Sequence, residues 1–248
     1  MDLVIATFVL RPYVFGFLTA FLAAGAVDLG VRRTLLFAAW VGPLAWLAEF
    51  SSTRIGIPFG LYHYTGATRG QELFIANVPF MDCLSFTFLA YASFCLARVA
   101  LARHRVPPPV LALVAGVLMM LLDVVIDPLA VRGDRWFLGR IFFYPDGGIY
   151  FGVPLSNFAG WVVVGTLGVG GYLTLTRRRG WNSATGGQPW PGIALYYAVF
   201  GFNLVLTAWI GEWLLVMAGA MVHLATALVL WSVSQRPAEG LGLEKQQA

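Results

Sequence analysis

Two acidic residues interrupt an apolar segment near the middle of the sequence. The segment is LLDVVIDPLA, residues 121–130, and it contains Asp123 and Asp127. Residues four positions apart lie on one face of an α-helix. Two carboxyl groups held together in apolar surroundings share a proton, because burial and like charge both oppose ionisation of the second group. The spacing therefore predicts a site in which one carboxyl group stays protonated and donates its proton to a bound molecule.

The chain around this pair has the composition of an integral membrane protein. Of its 248 residues, 59% are hydrophobic and 11% are charged, and the mean hydropathy is +0.76. A soluble domain carries about 25% charged residues. The net charge of +4 comes from short arginine clusters between apolar segments, which is typical of membrane loops and not of a nucleic-acid-binding surface. The composition therefore predicts a lipid bilayer as partner and no nucleic acid.

Seven apolar segments are long enough to cross about 30 Å of hydrocarbon as α-helices. The predicted spans are residues 12–29, 34–51, 79–101, 109–130 and 153–175, and two within 191–231 that are divided near Gly211 and Glu212. This pattern predicts an all-α integral membrane protein, a polytopic bundle of about seven transmembrane helices. The bundle forms one domain, residues 1–235, and a short polar cytoplasmic tail follows at residues 236–248.

The charged residues are distributed unequally between the two ends of this bundle. Ten of the sixteen basic residues map to the first, third and fifth connections and the C-terminus. Because cytoplasmic loops carry the excess of Lys and Arg, we expect a bacterial-type inner membrane protein with its N-terminus outside and its C-terminus in the cytoplasm. Eight acidic residues map to the non-cytoplasmic half: Glu49, Glu72, Asp82, Asp123, Asp127, Asp134, Asp146 and Glu212. Charged groups within a bilayer usually face the bundle interior, so these acids predict one polar pocket at that end.

Two long loops on the same side, residues 52–79 and 131–157, are rich in glycine, proline and aromatic residues. Irregular backbone at a membrane is stable only where it packs on protein or lines water. We therefore predict two structured loops that form a lid over the pocket. The alternative is a pair of ordinary interfacial loops, whose Trp and Tyr side chains anchor at the headgroups.

Two sequence elements resemble those of a known family. Residues 49–65, EFSSTRIGIPFGLYHYT, resemble the Glu…Thr-x-x-Gly-x-x-Phe-Gly-x-Tyr-x-Tyr element of a membrane-integral carotenoid biosynthesis family that includes bisanhydrobacterioruberin hydratases and γ-carotene 1′-hydratases. Residues 123–161, DVVIDPLAVRGDRWFLGRIFFYPDGGIYFGVPLSNFAGW, resemble its second element, Asp-x-x-x-Asp-Pro, then Trp, then Tyr/Phe-Gly-Val-Pro-x-x-Asn-Phe-x-Gly-Trp. The similarity covers about residues 44–161. Asp82 and the segment 142–146 depart from the pattern expected of the family.

The resemblance implies a carotenoid 1,2-hydratase, a hydro-lyase that works without a cofactor. Such an enzyme adds water to the terminal C1=C2 double bond of a ψ-end carotenoid, so its partner is a long polyene substrate. The reaction requires protonation of the less substituted carbon, followed by capture of a tertiary carbocation by water. The oligomeric state is not implied.

The candidate catalytic residues are the acids closest to these elements. The Asp123/Asp127 pair supplies the proton, and either its second member or Glu49 orients the attacking water; Asp82 is a fourth candidate. Aromatic faces stabilise cations through their negative quadrupoles, and Asn157 can hold the water or fix a carboxylate. The candidate substrate-binding residues are Trp46, Phe59, Tyr62, Tyr64, Trp136, Tyr150, Phe151, Asn157, Trp161 and Asn203.

The acids also have structural interpretations. Asp127 precedes a proline, where helices often end, and an interfacial ion pair with Arg132 or Arg135 would account for it. Glu49 near the end of its helix can likewise pair with Arg54. These interpretations predict salt bridges where the catalytic interpretation predicts an enclosed acidic cavity.

Two other functions are compatible with the same residues. A carotenoid end-group cyclase of the lycopene type shares the protonation step but quenches the cation internally. A proton-coupled transporter or carotenoid-binding protein uses buried acids to carry protons or ions. Because the three histidines, His63, His104 and His223, lie far apart in the sequence, no metal site is predicted.

Overall fold

The computed structural model describes residues 2–178 and 187–235. In these ranges the chain forms α1 (Leu3–Leu10), α2 (Pro12–Asp28), α3 (Val31–Ile55), α4 (Phe80–Ala100), α5 (Pro108–Ala130), α6 (Leu155–Arg178), α7 (Trp190–Trp209) and α8 (Trp213–Gln235). Six of these helices are long and apolar enough to cross a membrane, and α1 with α2 makes a seventh span if the bent pair counts as one. The all-α polytopic membrane fold is thus confirmed. The predicted tail, residues 236–248, lies outside the described residues.

A sharp corner joins α1 to α2. Proline fits the first position of a helix, where its missing N–H costs no hydrogen bond, and it disfavours a helical conformation in the residue before it. Pro12 is the first residue of α2, and Arg11 accordingly leaves the helical region with φ −124° and ψ 50°. The two helices meet at 92°. Helix α1 was not predicted, because eight apolar residues are too few to cross a membrane.

Close helix packing at the centre of the bundle determines where the acidic residues lie. α4 is buried along most of its length and packs against α2, α3, α5 and α7. α5 and α6 approach each other through glycines: a Cβ at Gly165 would stand 2.8 Å from the Cα of Gly116. Small residues of this kind allow two backbones to come close within a membrane. The α5–α6 contact therefore fixes Asp123 and Asp127 relative to the first turns of α6.

The two long connections fold onto each other. Residues 56–79 form loop 1 and residues 131–154 form loop 2. Strand β1 (His63–Tyr64) in loop 1 pairs antiparallel with β4 (Phe142–Phe143) in loop 2, while β2 (Phe74–Ile75) and β3 (Val78–Pro79) form a hairpin within loop 1. The backbone N–H of Thr65 extends the first pairing by donating to the carbonyl of Ile141 at 2.8 Å. The prediction of structured loops is confirmed.

A buried ion pair attaches both loops to the α1–α2 corner. Arg11 Nη2 lies 2.8 Å from Glu72 Oε1, and its Nε donates to Oε2 at 3.1 Å. The remaining nitrogen, Nη1, donates to the carbonyl of Leu138 at 2.9 Å. Both charged side chains are fully buried. Since Glu72 belongs to loop 1 and Leu138 to loop 2, a single guanidinium group holds three separate parts of the chain together.

Candidate active site

Helices α2 to α7 and both loops enclose a cavity of about 130 Å³, which we call the acid cavity. Three of the four predicted catalytic acids, Glu49, Asp82 and Asp127, line it. The predicted binding residues that also line it are Phe59, Tyr62, Tyr64, Trp136, Asn157, Trp161 and Asn203. The sequence elements that are far apart along the chain therefore do meet at one place.

The first acid pair joins α3 to α4 through loop 1. The hydroxyl of Tyr64 lies 2.7 Å from Glu49 Oε2 and 2.8 Å from Asp82 Oδ2, and Tyr62 donates to the same oxygen of Glu49. A tyrosine hydroxyl has one hydrogen to donate. It can therefore hydrogen bond to both carboxyl groups only if one of them carries a proton. Burial, together with the carboxyl groups of Asp82 and Glu49, raises the pKa of Tyr64 well above its ordinary value, so the residue stays a hydroxyl.

The second acid pair lies on α5, against the start of α6. Asn157 donates to Asp123 Oδ2 at 2.6 Å, and Asp127 interacts with Asn157, Trp161 and the carboxyl group of Asp123. Asp123 is completely buried, and among the described residues its Oδ1 has no hydrogen-bond donor. Two adjacent carboxyl groups attract each other only when one of them is protonated. Asp127 reaches the cavity and Asp123 lies behind it, so Asp127 is the member that can touch a bound molecule.

The structural interpretation of Asp127 is not supported. α5 continues past the proline to Ala130, which keeps Asp127 on the same helical face as Asp123. Arg132 and Arg135 instead form ion pairs with Glu212, in the connection between α7 and α8. Partial burial opposes ionisation of Glu212, but the hydrogen bond from Arg135 and the charges of both arginines lower its pKa below the ordinary value.

The structural interpretation of Glu49 fails in the same way. Arg54 donates to Asn77 Oδ1 at 2.8 Å and to the carbonyl of Phe50 at 3.0 Å. Glu49, one turn earlier in α3, is buried and accepts hydrogen bonds from Tyr62 and Tyr64. Its carboxyl group therefore belongs to the acid cavity and not to a surface salt bridge.

Aromatic rings form much of the rest of the wall. The indole of Trp161 stacks on Phe86 with ring centroids 4.5 Å apart and an interplanar angle of 14°, and Phe59 lies 5.8 Å from Phe86. Phe86, Phe142 and Tyr144 also line the cavity, although they were not among the predicted binding residues. The unusual segment 142–146 was the available signal for the last two. Such faces can stabilise a positive charge within the cavity.

Three predicted binding residues lie outside the cavity wall, which corrects the sequence analysis. Trp46 donates its Nε1 hydrogen to the carbonyl of Ile75 at 3.2 Å, which turns the indole towards loop 1. The Tyr150 ring packs on Phe151 and Phe158. The Phe151 carbonyl accepts a hydrogen bond from an arginine of loop 2 at 2.7 Å. These residues are close to the acids in sequence, but Trp46 contacts loop 1 and the other two support loop 2.

The acids form two pairs on different helices: Glu49 of α3 and Asp82 of α4 share the Tyr64 hydroxyl, whereas Asp123 and Asp127 both lie on α5. Within residues 2–178 and 187–235, no three His, Cys, Asp or Glu side chains converge in a way that could hold a metal ion. The geometry is instead that of two carboxyl pairs, each with hydrogen-bond donors of its own.

Long apolar helices around an acidic and aromatic cavity define the class: a polytopic membrane protein with a cavity between its helices. Residues 4–226 match the family described as "Carotenoid biosynthesis protein", and the chain belongs to that family. It is similar to the bisanhydrobacterioruberin hydratase of Haloarcula japonica, with 30% identity over 148 residues, which is 60% of this chain and 47% of the relative. The match thus spans about half the length of that relative. No solved structure matches the chain.

Proposed function

We propose that this protein is a carotenoid 1,2-hydratase that adds water to the terminal C1=C2 double bond of a ψ-end carotenoid. The observation that carries this proposal is the position of Asp127, at the wall of an aromatic cavity and backed by the buried carboxyl group of Asp123. A protonated carboxyl group in that position can deliver a proton to an alkene that enters the cavity. The family and the named relative are consistent with this activity.

The proposed reaction has two steps. Asp127 donates its proton to C2, the less substituted carbon, and the π electrons form the new C–H bond, which leaves a tertiary cation at C1. The oxygen of a water molecule then forms a bond to C1 and loses one proton to a carboxylate. The net change is the addition of one water molecule, with no oxidation or reduction.

The surrounding residues have distinct roles in this scheme. Asp123 and Asn157 hold Asp127 and its proton in place, while the Trp161 face is available to stabilise the cation. In the other acid pair, Tyr62 and Tyr64 contact Oε2 of Glu49, and we assign Oε1 to the attacking water. A positioned polar group of this kind favours capture by water over the internal quenching that a cyclase requires.

Expression in a bacterial host that accumulates lycopene tests the activity directly. We expect pigments heavier than lycopene by one or two water masses, measured by mass spectrometry of the extract, and no such products from the host alone. The two mass increases correspond to the addition of water at one ψ end or at both. A product of unchanged mass with an altered absorption spectrum would identify a cyclase instead. Recovery of only unmodified lycopene would contradict the proposal that this protein hydrates lycopene.

We also propose that the acid cavity lies at the non-cytoplasmic side of a bacterial inner membrane, with the N-terminus outside. The excess of arginine at the opposite end of the bundle supports this orientation. Cys83 and Cys95 are buried and can be replaced by alanine before single cysteines are introduced. We expect an impermeant maleimide to label Asp146→Cys in intact cells and Arg103→Cys only after lysis, since both positions are exposed. The reverse pattern would contradict the orientation.

A further inference from the structure

A second cavity lies on the outer face of the bundle between α2 and α7, and we call it the α2–α7 groove. It has a volume of about 760 Å³ and is lined by apolar side chains and glycine, apart from the phenol of Tyr13. Its floor consists of small residues, including Gly16, Ala20 and Ala23 on α2 and Ala194 on α7. The alanines are exposed at the surface of the bundle. The groove is therefore open along its side to the hydrocarbon of the membrane.

One end of the groove adjoins the acid cavity. Tyr13 and Phe17 line both cavities. Phe202, in the wall of the acid cavity, contacts both rings, with centroid distances of 5.4 Å to Tyr13 and 5.5 Å to Phe17. Ala194, Ala198 and Phe202 follow one another at intervals of four residues, so they form one stripe along α7. The same helix face thus leads from the groove to the acids.

The sizes of the two cavities determine what each can hold. An engineered apolar cavity of about 150 Å³ accommodates benzene, so the acid cavity, at about 130 Å³, has room for a terminal isoprene unit but not for a long polyene. The remainder of such a substrate must leave the acid cavity through an apolar opening. From Tyr13 to Val27 the groove follows α2 for about 21 Å, at ~1.5 Å per residue.

We propose that the α2–α7 groove holds the polyene body of the carotenoid, whose ψ end enters the acid cavity past Tyr13 and Phe17. This inference rests on the proposed function. The small residues of the floor present a flat surface, and a Cβ at Gly16 would meet no atom within 4 Å. A rigid conjugated chain loses less conformational freedom on such a surface than a flexible lipid acyl chain does. The polyene is therefore the occupant that the groove favours.

Bulky substitutions in the groove test this assignment with two substrates. We expect Ala20→Trp and Ala198→Trp to lower kcat/KM for lycopene by about tenfold or more, because an indole would occupy the path of the chain. For a short isoprenoid with the same isopropylidene end, which fits within the acid cavity, we expect a change of about twofold or less. Ala225→Trp is the matched control: an exposed alanine of α8 that lines neither cavity. It should leave both substrates unaffected.

A binding measurement distinguishes an error in the groove proposal from an error in the proposed reaction. The same substitutions are placed in Asp127→Asn protein, and the lycopene that remains bound after purification from the pigmented host is measured per mole of protein. Ala20→Trp should reduce the bound pigment severalfold, and Ala225→Trp should not. The groove proposal would be overturned if Ala20→Trp and Ala225→Trp bound equal amounts of pigment in Asp127→Asn protein and turned over lycopene equally when Asp127 is present. The proposed hydration would then still stand. Wild-type protein that hydrates neither substrate would refute the proposed function, and the groove proposal with it.

Discussion

Replacing Asp127 with asparagine should lower the rate of lycopene hydration by about 10²–10⁴-fold, the contribution of a positioned general acid. Asparagine has nearly the same shape and can keep the contacts with Asn157 and Trp161, but it has no acidic proton to deliver. Turnover is measured by mass spectrometry of pigments after incubation of membranes with lycopene. The loss should appear in kcat, because the alkene still fits the cavity.

Two further variants show whether the loss depends on the position of the acid. Asp146→Asn removes an exposed carboxyl group of loop 2 and should leave hydration unchanged. Asp123→Asn should lower the hydration rate less than Asp127→Asn does, because Asp123 lies behind the cavity wall and acts only through Asp127. Full activity in Asp127→Asn protein would contradict the assignment of the proton donor.

Local patterns predicted much of this architecture because they depend on short stretches of chain. The four-residue spacing of Asp123 and Asp127 is sufficient to place them on one helical face, provided that the helix continues beyond the second acid. It does continue, to Ala130, although a proline follows Asp127. The same reasoning applies to the apolar segments, whose length and composition determine the spans. The predicted meeting of Glu49 with this pair depended on the helix topology, which places all three acids in the same half of the bundle, and not on a spacing within one helix.

Long-range contacts could not be predicted in this way. Tyr64 reaches both Glu49 and Asp82 only because β1 pairs with β4, some eighty residues later in the chain. Nothing in the sequence near Tyr64 specifies that pairing. The error over Trp46 has a related cause: the buried stripe of α3 passes through Ala45 and Ala48, and Trp46 lies beside that stripe. Nearness to an acid in sequence is therefore a weak guide to which ring faces the cavity.

The ion pair between Arg11 and Glu72 illustrates the same limit and has a large energetic consequence. Sixty-one residues separate the two side chains, yet both are fully buried. Removing one member of a buried pair leaves the other charge without a partner, which typically costs about 3–5 kcal/mol. Replacing both members with apolar residues of similar volume is often close to neutral, because no buried charge is then left unpaired.

Arg11→Met should accordingly lower the free energy of unfolding by about 3–5 kcal/mol, since it leaves the Glu72 carboxylate buried and removes the donor to Leu138. Denaturant unfolding of the protein in bicelles measures the change. The double variant Arg11→Met/Glu72→Met should recover most of the loss, whereas Arg140→Met, at an exposed arginine of loop 2, should change stability by about 0.5 kcal/mol or less. If Arg11→Met were as stable as Arg140→Met, the stability of the α1–α2 corner would not depend on the ion pair.

Because the Arg11–Glu72 pair fixes both loops over the acids, we expect Arg11→Met to lose hydratase activity as well. The double variant should regain activity only if an apolar contact between the two methionines holds the loops in place.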